Sequence, residues 1–323
     1  MRVLVMGGTE FVSLHLVRAL VRDGHAVTVF NRGRQSHRLP AGVELIAGDR
    51  KGHAGLATAL AGRAFDAVCD VTYAPTTGED VAALADAVAQ NQPHVIFMSS
   101  GRVYDHALPI PYDEDTPRGE YWGDYARHKT AGEDALLERH RATGLPVTIV
   151  RPTHVLGPLN TRYNETFFFD RILRGRPILV PGHGGWLRQF GHVEDLADAI
   201  AAMLGNPKSF GQAYNVTGEE IVTQLGFVEV IAEVLERPLE LTPFDPALFK
   251  ELDFKGPVFG QNLVYDCHAV YTTWKLRREL GLRPRYTLAS GLRQTFEWYL
   301  KEGLERRPVD FSLEDRLRAR LGP

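Results

Sequence analysis

The chain has 323 residues, with 37 Lys and Arg against 40 Asp and Glu, and therefore a formal net charge of −3. This near-neutral balance argues against a protein whose main partner is a nucleic acid or an anionic membrane surface. With 44% hydrophobic and 24% charged residues, the composition is typical of a folded globular protein and excludes global disorder.

The first half of the chain alternates short β-branched runs with helical patterns, which predicts βαβ units in a parallel sheet. In the first predicted helix, His15, Arg18 and Arg22 form a polar stripe, which we expect to face solvent, and Gly24 ends the helix. The predicted strands are 2–6, 26–30, 43–47, 66–71, 94–99 and 146–150, and the predicted helices are 11–23, 78–91 and 124–142.

Shorter elements with more Pro, Gly and aromatic residues begin after about Pro158, which indicates a second, smaller lobe. We predict one further strand at 214–216 and helices at 192–204, 224–236 and 287–302. The fold class is therefore predicted as α/β. Residues 1–158, joined by about 190–217, would form a Rossmann-type doubly wound parallel sheet, and 159–323 would form mainly a smaller α/β lobe.

The cysteines and the N-terminal residues bear on the compartment. Cys69 and Cys267 show no Cys-x-x-Cys or Cys/His ligand spacing, which argues against a disulfide framework and a structural zinc site. The first residues show no secretory signal, and no apolar run approaches the roughly 20 residues of a membrane span. We therefore expect a cytoplasmic protein with no metal site and no membrane segment.

Gly7-Gly8-Thr9 follows the first strand and opens the first helix, a context in which backbone N–H groups hold a pyrophosphate. The spacing G-x-x-G-x-x-G from Gly7 would need two further glycines, where this chain has Glu10 and Ser13. Glu10 would bring a carboxylate to the phosphates unless it turns to solvent, and Ser13 adds a side chain where helix and sheet pack closest. Alone, this motif favours an ordinary strand–turn–helix.

A second motif places Tyr125 and Lys129 four residues apart on a predicted helix, and therefore on one face. The lysine ammonium can then favour the phenolate form of the tyrosine, which is the form that acts as a base. Ser99 and Ser100 end a strand upstream, where a hydroxyl can bond the substrate oxygen that Tyr125 deprotonates. Together with the glycine turn, these residues form a specific combination.

The sequence resembles the extended short-chain dehydrogenase/reductases, the superfamily of nucleotide-sugar epimerases and dehydratases, over nearly its whole length. The motifs that carry this resemblance are Gly7-Gly8-Thr9, Asp49, Ser99 to Tyr104, Tyr125 to Lys129, Arg151 to Pro158 and Arg188 to Ala197. Segments 157–160, 167–168, 191–193 and 214–219 resemble the branch that contains chloroplast stem-loop RNA-binding proteins.

The resemblance implies an NAD(P)-binding domain, a lobe that binds a nucleotide-diphosphate sugar, and a homodimer through the helices that include 124–142. It implies that Tyr125 is the general base, that Ser100 orients the substrate hydroxyl, and that Lys129 also holds the nicotinamide ribose. The implied cofactor-binding residues are Gly7, Thr9, Glu10, Phe11, Val12, Asn31, Arg32, Arg34, Asp49, Arg50, Val71, Thr72, Tyr73, Ser99, Tyr125, Lys129, Pro152 and Thr153. The implied substrate-binding residues are Arg102, His154, Asn164 and Arg188.

Three of these positions have alternatives in the sequence itself. Asn164 is equally consistent with a loop cap, and a surface arginine is the less favoured interpretation of Arg188. At the end of the second strand, Asn31 stands where an acid would bind the ribose of NAD, and Arg32 and Arg34 follow. This modestly favours NADP, whose 2′-phosphate suits arginine; alternatively, Arg32 stacks on the adenine of either cofactor.

The residues after Ser100 bear on the reaction. Gly101 and Arg102 stand where the dehydratases of the superfamily carry an Asp-Glu pair, and the stretch lacks the Cys of the 3,5-epimerases. The resemblance therefore implies a 4-epimerase or a simple carbonyl reductase. The alternative is an RNA-binding or endonuclease-like protein on the same fold with weakened or lost redox activity, since Glu10 and Ser13 depart from the glycine fingerprint. The near-neutral charge favours the enzyme.

Overall fold

Apolar runs build the central sheet, in which β1, β4, β5 and β6 are almost completely buried. The strands are β1 (Arg2–Met6), β2 (Ala26–Asn31), β3 (Glu44–Ala47), β4 (Ala67–Asp70), β5 (His94–Met98), β6 (Val147–Pro152), β7 (His154–Leu156), β8 (Ile178–Pro181), β9 (Leu187–His192), β10 (Gln212–Val216), β11 (Ile221–Thr223) and β12 (Leu241–Phe244). The structure is a computed structural model that describes residues 1–72, 76–251, 259–260 and 266–321.

Helices alternate with these strands along the chain. They are α1 (Phe11–Arg22), α2 (His53–Leu60), α3 (Gly78–Val88), α4 (Gly123–Thr143), α5 (Glu165–Ile172), α6 (Val193–Met203), α7 (Gln224–Leu235), α8 (Leu248–Glu251), α9 (Trp274–Leu280), α10 (Leu288–Lys301) and α11 (Ser312–Leu321). Within the described residues, no helix combines the length and apolar composition that a membrane crossing needs.

The first of two units comprises residues 1–155, 191–217 and 271–285. Its seven strands are all parallel and follow the order β10–β6–β5–β4–β1–β2–β3. One apolar layer packs α1 and α6 on the sheet, and a second packs α2, α3 and α4 on it. Helices on both faces of a parallel sheet confirm the predicted Rossmann-type doubly wound fold.

Helix α1 is buried on more sides than its sequence predicts. Because α6 packs against it, His15 is only 8% exposed, and the predicted solvent-facing stripe is wrong at this residue. The Nδ1 atom of His15 lies 2.9 Å from the carbonyl oxygen of Phe11, and burial lowers the pKa of the imidazole. The periodicity of one helix does not reveal which later element will cover its polar side.

The second unit comprises residues 156–190, 218–270 and 286–323. Here β8 pairs in parallel with β12, and β9 pairs antiparallel with β11. Phenylalanines from α5 and α7 and Tyr299 of α10 form the apolar core. All eight residues of α5 are buried, which explains why no amphipathic period predicted this helix. The roles expected for the two parts of the chain, cofactor and substrate binding, stay predictions.

Candidate active site

The turn between β1 and α1 is fixed by glycine geometry. Gly7 and Gly8 have φ values of +104° and +91°, which side chains rarely adopt. A Cβ atom on Gly8 would lie 2.6 Å from Cγ1 of Val29. The Gly7 N–H donates to the carbonyl oxygen of Phe30 at 3.0 Å. The turn is therefore held against β2 and leads directly into the N-terminus of α1.

The two departures from the glycine fingerprint are accommodated. Glu10 precedes α1, its side chain is exposed, and it makes no capping hydrogen bond. The Ser13 hydroxyl donates to the carbonyl oxygen of Glu10 at 2.7 Å. The first turn of α1 contains no acidic residue, so the positive end of the helix dipole stays available to an anion. Thr9, Phe11 and Val12 line this same turn, and its geometry fits a pyrophosphate.

The end of β2 is tied to the glycine turn through Asn31. Its Nδ2 donates to the carbonyl oxygen of Gly7 at 2.7 Å, and its Oδ1 accepts from the Gly33 N–H at 2.7 Å. Arg32 and Arg34 are exposed, and neither forms a salt bridge with a described residue. The polar atoms of Asn31 thus stabilise the loop, while the two guanidinium groups are accessible to a phosphate.

Asp49 and Arg50 differ in their surroundings although they are neighbours. Asp49 is exposed, and its Oδ1 accepts from the Lys51 N–H at 3.0 Å. Arg50 is 9% exposed and donates twice to Asp70, with distances of 2.7 Å to Oδ1 and 2.9 Å to Oδ2. Asp70 ends β4, and sequence analysis missed it, although an acid in a strand that is otherwise apolar was a visible signal.

The residues after β4 continue this contact. Val71 is buried, and the Thr72 hydroxyl lies 3.4 Å from the carbonyl oxygen of Met6 and 3.1 Å from Nη1 of Arg50. The segment after β4 is thereby joined to the end of β1. Tyr73, predicted to line the nicotinamide, lies outside the described residues.

Two serines follow β5, and both are buried. Ser99 Oγ has no hydrogen-bond partner among the described residues, whereas Ser100 Oγ accepts from the Arg102 N–H at 3.2 Å. The turn Gly101–Val103 that follows packs against α4. Ligands of such sheets bind at the carboxyl ends of the parallel strands, and the unpaired Ser99 hydroxyl lies at such an end.

Lys129 reaches the same end of β5 from α4. It is 5% exposed, and its Nζ donates to the carbonyl oxygen of Met98 at 2.7 Å and lies 5.0 Å from the ring centre of Phe97. Burial lowers the pKa of the ammonium to about 8, against the opposing effect of Asp70. Tyr125 lies one turn earlier, in the first turn of α4, and is half-buried.

Arg102 connects the serine turn to the tyrosine. Its guanidinium carbon lies 4.4 Å from the ring centre of Trp122 and 5.8 Å from that of Tyr125, which are cation–π distances. Since its backbone N–H also bonds Ser100, the structure brings Ser100, Tyr125 and Lys129 to one end of β5. Trp122 was not predicted from the sequence. The one local signal was its position immediately before α4.

Gly101 leaves no room for a side chain. A Cβ atom at this position would lie 2.7 Å from the ring of Tyr271. The acidic residue that the resemblance places here in dehydratases would therefore require Tyr271 to move. Tyr271 is far away in sequence, and nothing in the local pattern predicts this contact.

The remaining predicted positions of the first unit follow β6. Pro152 is its last residue, the Thr153 hydroxyl lies 2.5 Å from that of Thr217, and the half-buried His154 begins β7. His192 ends β9 and caps α6, where its Nδ1 accepts from the Glu194 N–H at 3.3 Å. Groups of three or more His, Cys, Asp or Glu that could hold a metal ion do not occur in the part of the chain that the structure describes.

Asn164 and Arg188 lie in the second unit. Asn164 is buried and precedes α5, but its side chain makes no capping hydrogen bond. Arg188 is 1% exposed, so the surface-arginine alternative is wrong. Its Nη1 donates to the carbonyl oxygens of Leu187, at 2.8 Å, and Cys267. A buried guanidinium held by carbonyls retains its full charge.

A model of the NAD dependent epimerase/dehydratase family matches residues 3–217. The chain is 32% identical to chloroplast stem-loop binding protein of 41 kDa b from Arabidopsis thaliana, over 98% of this chain and 84% of that protein. It is 27% identical to dTDP-glucose 4,6-dehydratase from Streptomyces niveus, over 93% of each. The UDP-glucose 4-epimerase of Thermus thermophilus, solved in complex with NAD, shares the fold with a TM-score of 0.75 at 24% identity, covering 93% of this chain and 99% of that one.

Proposed function

The chain belongs to the NAD dependent epimerase/dehydratase family, and on that premise we propose that it is an NAD(P)-dependent epimerase or ketoreductase of a nucleotide-diphosphate sugar. The observation that carries this proposal is the buried Lys129, whose ammonium reaches the carboxyl end of β5 one helical turn from Tyr125. Relatives named for dTDP-glucose and UDP-glucose support the substrate class.

Tyr125 is the proposed general base. Its phenolate would take the proton of a sugar hydroxyl while Ser100 donates a hydrogen bond to the same oxygen. The positive charge of Lys129 favours the phenolate, since an opposite charge nearby stabilises the ionised form. A bound nicotinamide would supply the acceptor and the donor of hydride.

The first unit contains the groups proposed to hold the dinucleotide. Gly7 and residues 9–12 would bind the pyrophosphate, and Asp49 with Arg50 would meet the adenine end. Ser99, Lys129, Pro152 and Thr153 would surround the nicotinamide ribose and ring. The exposed Arg32 and Arg34 support NADP over NAD, since Asn31 offers no carboxylate to a ribose 2′-hydroxyl.

Arg102 and His154 are proposed to contact the sugar, and Asn164 and Arg188 the diphosphate. A buried guanidinium suits a diphosphate because charge-assisted hydrogen bonds are strongest where water is excluded. The space taken by Tyr271 next to Gly101 supports epimerisation or carbonyl reduction over dehydration, which needs an acidic residue there.

A homodimer through α4 is proposed from the resemblance alone. The exposed positions of that helix include Asp124, Arg127, Asp134, Glu138 and Arg141, so such an interface would be polar. Light scattering at several salt concentrations measures the assembly.

A cytoplasmic location is also proposed, because Cys69 and Cys267 are buried free thiols of the kind that reducing compartments maintain.

The proposal is tested by cofactor binding followed by turnover. Protein denatured after purification is examined for released dinucleotide by mass spectrometry, and NAD and NADP are titrated by calorimetry. UDP- and dTDP-linked sugars are then assayed for epimerisation, and their 4-keto forms for reduction. We expect binding of NADP and turnover of one sugar class. No binding at millimolar cofactor contradicts the enzyme proposal.

A second candidate is an RNA-binding function, favoured by the Arabidopsis relative whose name describes stem-loop binding. The near-neutral charge of this chain provides little general attraction to RNA. Titration of a stem-loop RNA at several salt concentrations distinguishes the two. Tight, salt-dependent RNA binding together with absent cofactor binding would put this candidate first.

A further inference from the structure

Asp70 lies on the face of the sheet that is covered by α4, the helix that carries Lys129. In the β4–β5 pairing, Asp70 is the register partner of Phe97, and register partners point to the same face. That face is covered by α4, because a Cβ atom on Gly132 would lie 2.7 Å from the Phe97 ring. The Asp70 carboxylate therefore faces the helix that carries Lys129.

Lys129 extends across the same aromatic ring. Its Nζ lies 5.0 Å from the centre of the Phe97 ring and bonds the carbonyl oxygen of the next residue, Met98. Asp70 and Lys129 are both buried. Their charges act on each other: Asp70 raises the pKa of Lys129, and Lys129 lowers that of Asp70.

Arg50 fixes the carboxylate from the other side. Its two parallel hydrogen bonds to Asp70, of 2.7 and 2.9 Å, form the bidentate geometry that restricts both rotation and displacement. The Thr72 N–H adds a longer contact of 3.4 Å to Asp70 Oδ1. Asp70 is therefore a buried anion held directly by one cation, and a second, Lys129, lies beside the ring of its register partner Phe97.

The other acids near Lys129 are engaged elsewhere. Glu133, one turn further along α4, accepts from Arg151 at 2.7 Å and from Arg118 at 3.2 Å. Asp80 of α3 bonds Lys51 and His53. The charged groups that act on Lys129 are Asp70 of β4, Arg50 from the segment between β3 and α2, and Glu133 of α4. Asp80 of α3 acts on Arg50, and Arg151 of β6 is paired with Glu133.

We propose that Asp70 is a positioning residue of the reaction: held by Arg50, its carboxylate keeps the Lys129 ammonium charged and in place beside Tyr125. This inference rests on the proposed function, because it takes Lys129 as a member of the catalytic set. Asp70 touches neither substrate nor cofactor in this account and acts through Lys129, whereas Arg50, a proposed cofactor-binding residue, enters this inference only by holding Asp70.

The proposal is testable because Asp70 and Arg50 shift the pKa of Lys129 in opposite directions. Burial already lowers the pKa of Lys129 to about 8, so small changes in nearby charge decide its protonation near neutral pH. Asp70→Asn removes the anion and leaves Arg50 as a buried like charge, which lowers the pKa of Lys129 further. Arg50→Gln removes the like charge and raises the pKa of Lys129. A merely structural ion pair would loosen the site in the same way in both variants.

The experiment is an NMR titration of the protein without added cofactor, labelled with carbon-13 at lysine Cε. Lys129 is one of seven lysines, and Lys129→Met identifies its signal. We expect a midpoint near 8 in the wild type, lower by about one pH unit or more in Asp70→Asn and higher in Arg50→Gln. Arg50→Lys keeps the cation and should restore the wild-type midpoint.

The pH profile of kcat/KM provides the second readout. Its alkaline limb should move in the same direction as the NMR midpoint in each variant. The proposal is overturned if the NMR midpoints of Asp70→Asn and Arg50→Gln stay unchanged or move in the same direction. It is also overturned if the alkaline limb of kcat/KM does not follow the midpoints. If Asp70→Asn does not fold, the Lys129 midpoints of Arg50→Gln and Arg50→Lys still test the proposal: the first should be raised and the second should match the wild type. Correct midpoints without any turnover would refute the proposed function and leave the Asp70–Lys129 coupling standing.

Discussion

Two regions of the first unit, the turn after β1 and the carboxyl end of β5, build their sites from different parts of the chain. The turn offers backbone N–H groups, with Gly7 and Gly8 in conformations that side chains rarely adopt. The end of β5 offers side chains, with Lys129 buried and reaching a backbone carbonyl from a helix. A backbone site is defined by shape, and a side-chain site by charge.

The difference explains which substitutions each region tolerates. Glu10 and Ser13 depart from the glycine fingerprint, yet one side chain is exposed and the other bonds the backbone, so the turn keeps its shape. Lys129 has no such latitude, because burial disfavours its ammonium and the charge of Asp70 opposes that effect. Exact residue identity should therefore matter most at the end of β5.

The largest effect is expected from Tyr125→Phe. Loss of the proposed general base should lower kcat by about 10² to 10⁴-fold and leave cofactor affinity nearly unchanged. Tyr121→Phe is the matched control, since Tyr121 is exposed just before α4, and its kcat should equal that of the wild type. Turnover of Tyr125→Phe within a few-fold of the wild type would show that the base is misassigned.

The shape of the glycine turn is tested by Gly8→Ala. The added Cβ atom would lie 2.6 Å from Val29 at a φ of +91°, so we expect about 2 to 4 kcal/mol of destabilisation in urea unfolding. The control is Gly24→Ala, where φ is +79° and nothing lies within 4 Å. That variant should lose only the backbone cost of about 1 to 2 kcal/mol. Equal losses would mean that the contact with Val29 is unimportant.

A smaller effect is expected at the end of β2. Arg32→Ser with Arg34→Ser should weaken NADP binding by about tenfold, because charge-assisted contacts to the 2′-phosphate are lost. NAD binding should change by less than about threefold in the same calorimetric titrations. Arg316→Ser with Arg318→Ser, at two exposed positions in α11, serves as the control for net charge. Equal losses for the two cofactors would refute the preference for NADP.

The smallest effect is expected at Glu10 and Ser13, the two positions that depart from the glycine fingerprint. Replacing both Glu10 and Ser13 by Gly should change the cofactor dissociation constant by less than about threefold, since the Glu10 side chain is exposed and the Ser13 hydroxyl is occupied by the Glu10 carbonyl oxygen. Affinity that rises tenfold or more would show that these residues obstruct the phosphates. Thermal unfolding of the double variant controls for the added chain flexibility.

The fold class was predictable because the strands of the sheet are apolar, short and separated by amphipathic helices. Helix α5 was not, since all of its residues are buried, and His15 was misplaced because α6, which covers it, is distant in sequence. At the site, spacing along one helix predicted that Tyr125 and Lys129 share a face. Asp70 was visible as an acid in an apolar strand, but strand register sets what it contacts, and Tyr271 reaches the region by tertiary packing; no local pattern encodes these contacts.

The most direct test of the central account is hydride transfer at the end of β5. The absorbance of reduced nicotinamide is followed after mixing wild type or Tyr125→Phe with cofactor and with nucleotide-diphosphate sugars or their 4-keto forms. We predict that the wild type either converts a hydroxy sugar to its epimer, seen by NMR of the products, or lowers the absorbance with a keto sugar, and that Tyr125→Phe loses this activity with cofactor still bound. Equal activity in both proteins, or neither epimer nor absorbance change in the cofactor-loaded wild type with any sugar, would contradict the account.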